Sequence, residues 1–136
     1  MALSNARKVL TVFGAVYLLV GILGFVPFLV VPMDGPLPGT GLLLGVFAVN
    51  ALHNVSHLLL GGAMVYGGGS DGRFWAIARA LAGVFAVLVV GSVIAPVAEG
   101  VAINLADTGL HLVSAALLAC LAFATRTEAA GARQAA

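Results

Sequence analysis

The sequence predicts an all-α integral membrane protein, a four-helix bundle built from two tandem helical hairpins. Three observations predict it. Of the 136 residues, 62% are hydrophobic and only 8% are charged. The uncharged stretches form four runs, each near the roughly 20 residues that cross a hydrocarbon core of about 30 Å. The second and fourth runs carry the same polar pattern. Soluble domains are about a quarter charged, and a chain this apolar would aggregate in water through its exposed patches. The solvent that suits it is lipid, and the bilayer is its first expected partner.

The first helix is expected over about 9–31, closed by Pro32, Asp34, Pro36 and Pro38, because proline cannot continue a helix. Arg7 and Lys8 ahead of this run imitate a secretory signal. A signal core is only about 7–15 residues long and ends in a small-residue cleavage site, so the run reads as a retained span. Residues 41–48 are also apolar, either as an early turn of the second helix or as a short interfacial segment. The second helix is expected over about 49–66, stopped by Gly67, Gly68 and Gly69. The third follows over about 74–97, with Arg79 near its start and Pro96 at its end, and the fourth over about 103–124. The small, polar residues 125–136 are expected to be disordered. In this arrangement Arg7, Lys8, Arg73, Arg79, Arg126 and Arg133 fall on one side, and Asp34 and Glu99 on the other. Basic residues mark the cytoplasmic face, which places both termini in the cytoplasm and the chain in the inner (plasma) membrane. Phe74 and Trp75 are expected at the inner boundary, where amphipathic rings settle.

An internal repeat underlies the hairpins. Asn50-Ala-Leu-His53-Asn-Val-Ser-His57-Leu58 aligns with Asn104-Leu-Ala-Asp107-Thr-Gly-Leu-His111-Leu112 as N-x-x-[HD]-x-x-x-H-L. Helices one and three share a weaker likeness, with Gly14 and Gly83 each preceding a proline, Pro27 and Pro96. Each hairpin starts on the same side, so the repeat is parallel, with 1–66 minus its basic leader (about 9–66) matching about 74–124. Its pseudo-two-fold axis should lie along the membrane normal.

Steps of three and four residues put Asn50, His53 and His57 on one helix face, and Asn104, Asp107 and His111 on another. His57 and His111 then lie roughly 10–15 Å inside the outer boundary at 1.5 Å per residue. Ionisable groups at such depth face the protein interior and are functional candidates by default. Four readings stay open for the cluster. In the first, the side chains hydrogen-bond across helices as structural glue, the job of a non-enzymatic structural or accessory component. His53, His57, Asp107 and His111 offer a transition-metal shell of imidazoles and one carboxylate, with Asn50, Asn54, Asn104 and Tyr17 orienting the ligands from outside. His57 and His111 alone would suit the axial positions of a b-type haem. A small transporter or proton relay would use the same residues.

The sequence leans away from an enzyme without excluding a membrane one. Ser56 adjoins His57, but neighbouring helical residues point about 100° apart, and no Ser-His-Asp or Cys-His arrangement is persuasive. Glycines 67–69 lack the following Lys-Ser/Thr of a phosphate cradle. A net charge of +1 without a basic cluster removes the footprint of nucleic-acid binding. The single cysteine, Cys120, excludes an internal disulfide and reads as a small packing residue. The Tyr17 hydroxyl needs a partner in mid-span, most simply a backbone carbonyl. Gly21, Gly24, Gly61 and Gly62 permit close helix approach, within the chain or in a homo-oligomer or larger membrane complex.

At these motifs the chain resembles a family of small bacterial four-helix membrane proteins catalogued as domain of unknown function 4383. The likeness rests on Gly24-Phe25-Val26-Pro27, on Phe47-Ala-Val-Asn50-Ala-Leu-His53-Asn54-Val-Ser-His57-Leu58 and on Asn104-x-x-Asp107-x-x-x-His111-Leu112, and it covers roughly residues 8–124. The family often has N-W-L-H-N at the second helix, where Ala51 replaces the tryptophan here. The resemblance implies four helices and makes the polar positions part of the family pattern. It implies no activity.

Overall fold

A computed structural model describes residues 1–35, 37–94 and 101–134, with side chains up to residue 123. Along the chain run α1 (Leu3–Leu23), a 3-10 turn (Pro27–Leu29), β1 (Val30–Pro32), β2 (Gly41–Leu43), β3 (Phe47–Val49), α2 (Ala51–Gly68), α3 (Asp71–Ile94) and α4 (Leu105–Gln134). Three helices are long and apolar enough to cross a membrane: α1, α3 and the Leu105–Phe123 part of α4. These helices make the chain a membrane protein. The 18 residues of α2 reach about 27 Å at 1.5 Å per residue, but His53, Asn54, Ser56 and His57 make it less apolar.

The all-α expectation is corrected by a three-stranded antiparallel sheet. Val30 pairs with Leu43 and Pro32 with Gly41, and Gly41 in turn pairs with Val49. The first helix therefore ends at Leu23, not near Val31. Pro27 disfavours helix for the residue before it, and Val26 is extended at φ −91° and ψ 107°. The β-branched Val30 and Val31 then suit a strand. Residues 41–48 are neither helix nor plain interfacial chain but β2, a tight reversal and part of β3. The reversal holds Leu44 at φ 52° and Gly45 at φ 72°, the left-handed region that a hairpin turn needs. A leucine there gives no warning in the sequence. At the other end, α4 continues to Gln134, so the backbone expected to be disordered after Ala124 is helical; its Ala, Arg, Glu and Gln residues are good helix formers. Pro36, Pro96, Val97 and Glu99 lie outside the described residues.

Packing pairs α1 chiefly with α2, and α3 chiefly with α4, while α2 and α3 join the pairs. The α1–α2 crossing depends on glycine. A Cβ on Gly14 would lie 2.7 Å from Gly61 O, and one on Gly61 would lie 2.7 Å from Gly14 O. Gly21 abuts Asn54 and Leu58 in the same seam. Gly62 and Gly83 meet nothing within 4 Å, so Gly62 takes no part in the seam, and Gly83 does not reproduce the role of Gly14. Below the polar layer, Leu10, Met64, Phe74, Ala78, Phe85 and Leu118 form a core with no exposed surface. Phe74 thus belongs to this core and not to the interfacial boundary, whereas Trp75 is half-buried beside it. Cys120 is exposed, on the outer flank and not in the packing. Arg7 Nη1 pairs with Asp71 Oδ1 at 2.7 Å and Arg7 Nε donates to Gly68 O at 2.9 Å, clipping the start of α1 to the α2–α3 turn. Val12, Val16, Val87, Val93, Leu112 and Val113 are exposed, an outer surface that suits lipid.

Gly14→Leu or Gly61→Leu should lower the unfolding temperature in detergent, since overfilling a packed seam costs about 1–3 kcal/mol. Gly62→Leu should leave it unchanged, and thermal melts of the three variants check the difference.

Candidate functional site

The site is assembled by helix starts. Asn50 precedes α2 in an extended conformation, and its Oδ1 accepts from His53 N at 2.9 Å. Asn104 stands before α4, where its Oδ1 accepts from Asp107 N at 3.1 Å and Asp107 Oδ2 accepts from Asn104 N at 2.8 Å. This reciprocal exchange is a capping box. The repeated N-x-x-[HD] motif is therefore a start signal for two helices, and its asparagines lie just outside the helices that were expected to contain them. Asp107 Oδ2 also accepts from Ala48 N at 3.1 Å, and Asn104 Nδ2 donates to Val46 O at 2.7 Å. The cap of α4 is thereby stitched to the β2–β3 reversal.

With both helices started in register, the third and seventh residues after each asparagine share a face. The structure brings together His53, His57 and His111, all buried, with one ring nitrogen of each within 4.8 Å of the others. Asp107 is not part of this group, and its Oδ2 accepts from the two backbone N–H groups. The expected four-residue shell is thus reduced to three imidazoles. His53 Nδ1 lies 2.7 Å from Ala102 O. A carbonyl only accepts, so this nitrogen carries the proton and, in the neutral ring, His53 Nε2 keeps its lone pair. His57 Nε2, 3.1 Å away, is then the donor to it. That leaves His57 Nδ1 with a lone pair and no partner, and His111 Nδ1 is likewise buried without one.

Aromatic packing fixes the rings. Tyr17 stacks on His57 with centroids 4.8 Å apart and planes 13° apart, and Phe85 lies 5.7 Å from the His111 ring. The Tyr17 hydroxyl meets Ser114 Oγ at 2.6 Å, and that Oγ donates to Leu110 O at 2.8 Å. With the serine proton so engaged, Tyr17 is the donor to Ser114. The hydroxyl partner is thus a side chain on α4 rather than the carbonyl expected. Ser114 went unnoticed in the sequence, although it lies three residues beyond His111 and so on the same face. Asn54, expected to support the ligands, instead faces α1: a Cβ on Gly24 would run into its side chain. Asn50 and Asn104 act on the cluster through the backbone, by setting where the helices begin.

Fold and interior together define a small helical membrane protein with a buried trio of histidines. The chain belongs to the family of the domain of unknown function DUF4383, whose model matches residues 7–124. No curated protein and no solved structure matches it.

Asp107→Ala should destabilise the protein by about 1–3 kcal/mol, the consequence of leaving inward N–H groups without an acceptor. Asp107→Asn, which keeps an oxygen acceptor, should cost less. Hydrogen exchange should quicken selectively at Ala48 and the first turn of α4 in the alanine variant; uniform exchange across the chain would contradict the stitching role.

Proposed function

We propose that the protein binds a first-row transition metal, zinc or copper, within the membrane, through His53, His57 and His111. The observation that supports this most is the convergence of three buried imidazoles whose ligand nitrogens lie within 4.8 Å of one another. The His53–Ala102 bond supplies what a ligating histidine needs, a carbonyl on its other nitrogen that fixes tautomer and ring plane. In a tetrahedral site with metal–nitrogen bonds of about 2.0–2.1 Å, neighbouring ligand atoms lie about 3.3 Å apart. The 3.1 Å His53–His57 spacing already fits this, and His111 closes in on ligation. Imidazole ligands suit zinc, copper, nickel and iron alike. Three protein ligands leave one coordination position for water or another small ligand. Asp107, one turn before His111 on the same helix, supplies compensating negative charge without ligating. The haem reading draws no support, because His53 already occupies the space beside both proposed axial ligands, with ring centroids 4.8 Å from His57 and 6.2 Å from His111.

The same proposal includes α2 as a fourth crossing, descent from a duplicated hairpin, and a plasma-membrane location with both termini in the cytoplasm. The clip between Arg7 and Asp71, next to Arg73, supports a shared basic end for the α1 start and the α2–α3 turn.

Protein purified without chelators should carry about one metal ion per chain by elemental analysis. His57→Ala and His111→Ala should each lower retention at least tenfold, the scale on which metal sites respond to a lost ligand or its supporting partner. Asp107→Asn should keep the metal. Because an imidazole ligates only when neutral, the ion should be released on acidification. Absence of stoichiometric metal both as purified and after zinc and copper loading would return the trio to a structural role. For orientation, in a Cys120→Ala background, Asp34→Cys should react with an impermeant thiol reagent added outside cells and Ser70→Cys should not.

A further inference from the structure

A second polar group lacks a partner, and it lies away from the histidines. Asn54 is only 2% exposed, yet among the described residues no hydrogen bond reaches its side-chain amide; only its backbone N–H is engaged, to Asn50 O at 2.9 Å. The amide forms part of the wall of a cavity of about 350 Å³, bounded also by Gly24, Phe25, Pro27, Val30 and Thr40. That volume is at the small end of ligand pockets, about 300–1,000 Å³. Among the described residues no charged side chain lines it. Thr40 Oγ1 donates to Leu37 O at 2.7 Å, so its proton is engaged and Asn54 holds the free donors. Around the cavity, Phe25, Phe28, Val31 and Met33 are exposed, so its surroundings are an apolar surface and not an aqueous one.

We propose that this cavity is a lipid site, taking one acyl chain of a membrane glycerolipid whose ester carbonyl accepts a hydrogen bond from Asn54 Nδ2. Each feature selects part of that ligand. The apolar wall suits the hydrocarbon, and the lack of lining charge suits a neutral ester over a free carboxylate. The volume admits one chain segment rather than two. A single buried amide in apolar surroundings sets the position of the carbonyl, because leaving it unpaired there is unfavourable. Gly24 is what allows Asn54 to sit at the wall, since a side chain there would displace it. The cavity is separate from the histidine trio, none of whose residues line it.

Photo-crosslinking tests it with the intact protein in vesicles of phosphatidylethanolamine and phosphatidylglycerol, doped with a phosphatidylethanolamine carrying a diazirine near the ester end of one acyl chain. Adducts mapped by mass spectrometry should concentrate in the stretch from Gly24 to Asn54, above the level on the exposed α3 residues Val84, Val87, Val90 and Val93. Asn54→Leu should lower adducts in that stretch roughly three- to tenfold, the effect of one hydrogen bond, and Thr40→Phe should lower them by filling the cavity. Circular dichroism identifies which of the two variants keeps native helix content, and either suffices. Adducts spread evenly over all lipid-facing residues, or unchanged in a natively folded variant, would overturn the proposal. Displacement of the adducts by a water-soluble compound but not by excess unlabelled phosphatidylethanolamine would overturn it as well.

Discussion

A hydrocarbon solvent supplies no hydrogen-bond partner, so every polar group within it must be satisfied by the chain itself. In this protein that constraint falls hardest at the ends of α2 and α4, where the first helical N–H groups have no partner inside the helix. Asn50 and Asn104 each accept one of these, and Asp107 returns the favour to Asn104 while also holding Ala48. The rest of the interior depends on those caps. They set the rotation of both helices, and rotation decides which residues face inward. Once Asn50 and Asn104 occupy equivalent places, His53 and His57 face His111, and Ser114 falls where Tyr17 can reach it. The polar layer is a consequence of where two helices begin.

The layer is held from the other side by packing without side chains. Gly14 and Gly61 let α1 and α2 approach until each backbone carbonyl oxygen lies 2.7 Å from where the other's Cβ would be. Small residues serve this purpose where there is no hydrophobic force between helices, and close contact must come from van der Waals packing. The approach brings the Tyr17 ring flat against His57. Tyr17 therefore joins three helices at once: it belongs to α1, stacks on α2 and donates to α4. The sheet closes the same end of the molecule. Its turn is bonded by Asn104, and its third strand by Asp107, which couples the first hairpin to the second.

Much of this arrangement was legible in the sequence. The scarcity of charge implied lipid, the long apolar runs located the helices, and the i, i+3, i+7 spacing identified the histidines that meet. The strands were hidden because residues 41–49 form a short apolar run, in which strand and helix look alike, and because their reversal rests on a leucine at positive φ. The role of the asparagines was open to reading, since N-x-x-D before an apolar run is a capping signal. It was obscured by the depth expected of the polar stripe, which drew Asp107 into the metal shell when its place three residues after Asn104 made it a cap. The Tyr17–Ser114 bond joins residues 97 apart in the chain, and no local pattern announces such a contact. Asn54 is turned about 100° from His53, and its place against α1 rather than among the histidines rests on the close approach of Gly24.

The central claim is that the three histidines form a metal site and not merely a polar contact. X-ray absorption at the edge of the retained or loaded metal reads that environment directly. The account predicts three nitrogen scatterers at about 2.0–2.1 Å, with the outer-shell pattern of imidazole rings, lost in His111→Ala and kept in Asp107→Asn. A shell of oxygen or sulfur without imidazole, or a spectrum indifferent to His111→Ala, would contradict it.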